Sequence, residues 1–239
     1  MIKKQINQKD SFDIELLNSI GYDYVFNNSP INRLKNKINT PNKLDENKHE
    51  KLIKLKQKID SIEDCKLKKN ASRLIFADGN IQSSIMIVGE GPGQKEDELG
   101  KPFVGDAGNL LNKMLKAIKI ERKKIYITNV VNFRPPNNRK PEQSEINRYS
   151  KYLKEHISII NPKILILMGS TAMEAILGSN KRISKERGQW KEVIIKQKNY
   201  KTIVTFHPAY LLRKSDQKKF SWEDLKIIRK EIDEQNIEI

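Results

Sequence analysis

Residues 85–93 read IMIVGEGPG and residues 163–171 read KILILMGST. In each stretch an unbroken apolar run stops at a glycine, and polar residues follow. Runs this short do not make helices of ordinary length. Being continuous rather than alternating, they fit strands buried on both faces. A third run of the kind, KIYITNVV, covers residues 124–131. Helical patterns lie between these runs. Leu110, Leu111, Met114 and Leu115 form an apolar stripe over 107–118. Residues 141–160 form a longer helix with Pro141 and Glu142 at its start. After Gly169, Thr171 and Glu174 have the spacing of a capping box for a helix reaching Leu177. Two further strands are expected at 192–196 and 202–206, and a closing helix at 222–234. Strands alternating with helices predict an α/β fold: a three-layer sandwich with a mainly parallel central β-sheet flanked by helices.

The amino-terminal quarter reads differently. A short amphipathic helix is expected over 10–27. Residues 28–58 are rich in Asn and Lys, hold two prolines and have few large apolar side chains, so they cannot bury much surface. They read as a linker that becomes helical from about Asp45. The division expected is therefore an extension over 1–59, partly disordered or helical, and a folded domain over 60–239.

The chain of 239 residues has 46 Lys and Arg against 30 Asp and Glu, a formal net charge of +16. That excess favours an anionic partner, nucleic acid before an acidic membrane surface. Cys65 is the single cysteine, so no intrachain disulfide framework exists and no cysteine cluster can hold a metal. No apolar run is long enough to span a bilayer, and residues 1–20 do not resemble a signal peptide. A soluble cytoplasmic protein is expected, monomeric and without a membrane partner.

In open α/β sheets, ligands bind beyond the carboxyl ends of the strands. Four unusual segments fall at such ends. The turn Gly89-Glu90-Gly91-Pro92-Gly93 exposes backbone and carries a carboxylate. It lacks the third glycine of a dinucleotide fingerprint and the Gly-Lys-Ser/Thr of a P-loop. Asn129 lies near the end of the run over 124–131, and Arg134-Pro135-Pro136-Asn137-Asn138-Arg139 follows, suited to phosphate. Gly169-Ser170 follows the run over 163–168. His207-Pro208-Ala209-Tyr210 follows the last, and an imidazole there can donate to a developing oxyanion. In addition Phe103, between Pro102 and Gly105, is placed to stack on a base.

Three stretches taken together, IMIVGEGPGQKEDELGKPFVGDAGNLL, YITNVVNFRPPNNRKP and HPAYLLR, resemble the type 4 uracil-DNA glycosylases, over roughly residues 60–235. The resemblance implies roles. Glu90 matches a catalytic acidic residue and Glu96 a second acidic position. Gly91 belongs to the uracil-binding turn, Phe103 matches the aromatic that stacks on uracil, and Asn129 the residue that reads its edge. His207 matches the histidine near uracil O2. Leu211, Leu212 and Arg213 match the loop that enters the DNA helix. Arg134 and Arg139 are expected to contact DNA. One departure is plain. The family usually holds a [4Fe–4S] cluster on four cysteines; here Cys65 matches one, while Ile62, Phe133 and Tyr149 stand at the others. A cluster needs about four thiolates, so no cofactor is expected, and packing by Phe133 and Tyr149 is expected in its place.

The implied activity is hydrolysis of the N-glycosidic bond of uracil flipped out of single- or double-stranded DNA. Two alternatives stay open on the residues alone: a nucleic-acid-binding module without chemistry, and a glycosylase preferring another deaminated base such as hypoxanthine.

Overall fold

The computed structural model of the protein describes residues 43–238; the helix expected over 10–27 and the linker as far as residue 42 lie outside them. The helices are α1 (Lys43–Asp60), α2 (Lys66–Asn70), α3 (Gln94–Leu99), α4 (Asp106–Ala117), α5 (Gln143–Ile160), α6 (Ser170–Leu177), α7 (Ile183–Glu186), α8 (Pro208–Arg213) and α9 (Lys218–Glu234). The strands are β1 (Asp78–Gly79), β2 (Ile85–Gly89), β3 (Tyr126–Asn129), β4 (Ile164–Met168), β5 (Trp190–Ile195) and β6 (Lys198–Thr205).

The strand order is β1-β3-β2-β4-β6-β5. The β3–β2, β2–β4 and β4–β6 pairings are parallel, and the two edge pairings are antiparallel. This is the mainly parallel α/β sandwich that the apolar runs predict. Every residue of β2, β3 and β4 is buried, which is why their sequences show no polar alternation. Successive side chains divide between two cores. Met86, Val88, Leu165 and Leu167 pack on one side with Leu153 and Ile157 of α5 and Met173 of α6. Ile85, Ile87, Ile164 and Ile166 pack on the other with Leu111 and Leu115 of α4 and Leu225 and Ile228 of α9.

Three local outcomes differ from the sequence reading. First, α1 belongs to the packed body: Leu52, Leu55 and Ile59 are buried in the first core. Their helical spacing gives a narrow apolar stripe, and α5 supplies the surface that the lysine-rich composition of α1 hides. Second, the last two strands form an antiparallel hairpin turning at Lys196 and Gln197, both with positive φ (47° and 65°). Neither is the Asn or Gly that announces such a turn, so the sequence carries no signal for it. Third, Thr171 does not cap α6. The N-cap is Gly169, at φ 93°, and no side chain bonds there; the Thr171 hydroxyl is engaged elsewhere.

Candidate active site

The carboxyl ends of the four parallel strands open into one cavity of about 830 Å³. Glu90 and Gly91 reach it from the end of β2, Asn129 from β3, Gly169 and Ser170 from β4, and Phe206 and His207 from β6. Glu96, Phe103 and Arg213 also line it. Seven of the sequence-expected residues (Glu90, Gly91, Glu96, Phe103, Asn129, His207 and Arg213) therefore meet in one place.

Gly89 lets them come together. A Cβ there would lie 2.4 Å from Asn129 Oδ1 and 2.5 Å from Phe103 Cζ, inside any real contact distance. The backbone of β2 thus forms the floor on which the amide and the ring sit. Phe103 is buried and has φ 52°, a left-handed conformation unusual for a bulky residue. Two supports hold it. Arg122 donates to the carbonyls of Pro102 (2.7 Å) and Phe103 (2.9 Å), and is itself paired with Asp78 at 2.9 Å. Glu96 accepts from the backbone N–H groups of Val104 (2.9 Å), Gly105 (2.8 Å) and Gly93 (3.1 Å). This carboxylate ties the glycine turn to the Phe103 loop, and both its oxygens are engaged by the backbone.

Asn129 Oδ1 and His207 Nε2 are buried and have no hydrogen-bond partner. An unpaired buried polar atom costs about 1–3 kcal/mol, so two at one cavity call for a ligand that completes them. The histidine's tautomer follows from its other nitrogen. Nδ1 accepts from the Ala209 N–H at 3.2 Å, which leaves the proton of a neutral ring on Nε2 as a donor. Burial, and then the nearby Arg213 charge, push this histidine down to about 4, so the ring is neutral at pH 7. The rings of His207 and Phe103 stack with centroids 5.3 Å apart. Glu90 is half-buried, and the Thr171 hydroxyl donates to its Oε2 at 2.5 Å.

The residues expected to contact DNA are distributed outside the floor. Leu212 is 47% exposed, whereas its neighbour Leu211 is buried. Both belong to α8, so the expected loop is a short helix presenting Leu212 and anchored by Leu211. Arg134 donates to Asn138 at 2.7 Å. Arg139 is held by both oxygens of Glu145 at 2.7 and 2.8 Å, at the start of α5. It fastens a helix end, and its charge is partly neutralised there. The cavity also gathers Lys140, Ser184, Tyr210 and Gln217, which the sequence reading did not single out. Lys140 and Tyr210 lie inside quoted motifs and were within reach of it. Ser184 and Gln217 sit in segments without any motif.

A model of the uracil DNA glycosylase superfamily matches residues 76–227. The chain is 42% identical over 186 residues to a type-4 uracil-DNA glycosylase of Sulfurisphaera tokodaii, covering 74% of this chain and 83% of that one. It is 42% identical over 150 residues to the type-4 enzyme of Thermotoga maritima, covering 62% and 77%. Against that of Archaeoglobus fulgidus it is 37% identical over 167 residues, covering 68% and 84%. With the strand-end cavity and its unpaired Asn and His, these similarities place the chain in the uracil-DNA glycosylase superfamily, among the type-4 enzymes.

Proposed function

We propose that the protein is a DNA repair glycosylase that removes uracil from DNA, with the strand-end cavity as its site. The observation that carries the reading is the pair of buried, unpartnered polar atoms, Asn129 Oδ1 and His207 Nε2, on one cavity wall. Uracil supplies what each lacks: N3–H donates to Asn129 Oδ1, and O2 accepts from His207 Nε2–H. Cytosine has no N3–H, so it would leave the Asn129 acceptor unpaired, a mismatch that discriminates strongly. Phe103 offers the stacking face, and the Gly91 turn lies against the base.

The base must leave the stack before its bond can be reached. The C1′–N1 bond then breaks with its electron pair passing to uracil, leaving an oxocarbenium sugar. The neutral His207 donor meets the negative charge on O2. Glu90 faces the cationic sugar and orients the water whose oxygen bonds to C1′; the water's proton passes to the carboxylate and on to the uracil anion. Glu96, with both oxygens held by backbone amides, acts by fixing the two loops. Leu212 enters the helix at the gap left by the flipped nucleotide. Arg213 and Arg134 neutralise phosphates. Both single- and double-stranded DNA are substrates, and a monomer suffices because the whole site lies on one chain. Among the described residues no helix is long and apolar enough to cross a membrane.

The [4Fe–4S] cluster that the family resemblance implies does not fit this chain. Cys65 is buried, and its sulfur lies 3.3 Å from the Tyr149 hydroxyl. Phe133 and Tyr149 are buried in the same core, with Ile62 packed against it. Among the described residues no group of three or more His, Cys, Asp or Glu could hold a metal ion. Side-chain packing fills the region, and the protein is expected to purify colourless. A brown preparation with about four irons per chain would refute this.

The activity is tested by incubating the protein with an oligonucleotide carrying one uracil and then cleaving abasic sites with alkali. Strand scission at the uracil, absent for cytosine and for hypoxanthine at the same position, is the expected result. Intact strands would sink the reading.

A further inference from the structure

Glu90 sits in a turn that gives it little anchorage, since both neighbours are glycines without side chains. A glutamate has three rotatable side-chain bonds, and fixing them costs entropy. Thr171, from a distant part of the chain, supplies the anchor. It lies in the first turn of α6, fully buried, and its hydroxyl donates to Glu90 Oε2 at 2.5 Å. A hydroxyl bonded to a carboxylate makes a bond roughly twice as strong as one between neutral partners. Thr171 is enclosed on a helix, so its hydroxyl is confined beside Glu90 before substrate arrives. Among the described residues, Thr171 is the one side chain that hydrogen-bonds Glu90.

We infer that Thr171 is a positioning residue for Glu90: it holds one carboxylate oxygen so that the other is directed to the water and the sugar cation. This rests on the proposed role of Glu90. The threonine's spacing from Glu174 suggests a helix cap, but Gly169 takes that position and leaves the hydroxyl free for the site. Thr171 touches neither base nor sugar in this scheme, so its loss should slow the chemical step without weakening DNA binding.

The test is single-turnover cleavage of a U·G duplex by the wild type, Thr171→Val, Thr171→Ser, Thr171→Ala, Glu90→Gln and the Glu90→Gln/Thr171→Val double variant. Valine keeps the shape and removes the donor, and should lower the saturating rate about tenfold, the effect of one such bond on a barrier. The protein concentration at half-saturation should not move. Serine keeps the hydroxyl and should restore the rate to within about threefold of wild type, by the same scale. In the Glu90→Gln background, Thr171→Val should have no further effect, because residues acting as a unit are not additive. Should the valine variant misfold, as judged by its thermal unfolding, Ser against Ala isolates the hydroxyl instead. Wild-type rates for Val or Ala, or an equal slowing in the Glu90→Gln background, would overturn the inference. A Glu90→Gln enzyme as fast as wild type would overturn the role of Glu90 itself, and an inactive wild type the whole proposed function.

Discussion

Two of the protein's histidines occupy enclosed positions, and they are treated differently. His156, on α5, has Nε2 2.7 Å from the Tyr126 hydroxyl, and its ring lies flat on Phe76 with centroids 4.5 Å apart. His207, at the end of β6, also lies against a phenylalanine, yet its Nε2 meets nothing. Burial pushes both down, His156 to about 3 and His207 to about 4. Loss of basicity therefore does not distinguish the two. Completion of the hydrogen bonds does. The interior around His156 is closed on itself, while two polar atoms at the strand-end cavity, Asn129 Oδ1 and His207 Nε2, have no partner within the protein.

The sharpest way to break this contrast is to remove the unfinished side. Glu90→Gln and His207→Ala should each lower single-turnover uracil release by roughly 10²–10³, the effect of losing one preorganised electrostatic group. Phe103→Ala should weaken productive flipping by about 1–3 kcal/mol of lost stacking, read as a lower rate on U·A than on U·G, where the base leaves more easily. Wild-type kinetics for all three would make His207 no different from His156.

The completed side should answer in stability instead. Tyr126→Phe strands His156 Nε2 and should cost about 1–3 kcal/mol of folding free energy, measured by urea unfolding, with uracil release unchanged.

Acid tests both histidines at once. Each has a folded-state value below the ordinary 6.5, so the unfolded chain takes up protons that the folded chain refuses. The stability they contribute is full above pH 6.5. It is lost as pH falls through about 4 for His207 and about 3 for His156. Between pH 6.5 and 5 few carboxylates titrate, and the thermal midpoint should already decline there. His207→Ala should flatten that decline, and an unchanged slope would contradict the buried, neutral ring.

The smallest effect concerns charge. Arg134→Ala and Arg213→Ala should each lower the salt slope of DNA binding by about one. Arg139→Ala should change it less and lower stability, because Glu145 already holds that guanidinium.

The central strands were legible because burial on both faces demands continuous apolar runs, and Ile85 to Val88 and Ile164 to Met168 are just that. The candidate site was legible because α/β topology puts ligands at strand ends, so the meeting of Asn129 and His207 at one cavity could be expected by counting from each run. What escaped detection depends on partners far along the chain. The apolar stripe of α1 is defined only against α5. The ties of Glu96 and Arg139, one to backbone amides and the other to Glu145, cannot be told from free surface charges in a sequence. Thr171 has the spacing of a cap, and only the approach of Glu90 shows otherwise.

Cys65 is the chain's one thiol, and it lies buried against Tyr149. A thiol-specific reagent added to the native protein therefore has a single place to react, and can reach it only when that part of the first core opens. The labelling rate thus reports a local opening free energy without any engineered probe. Comparing it with and without uracil-containing DNA would measure whether occupation of the cavity stiffens the first core.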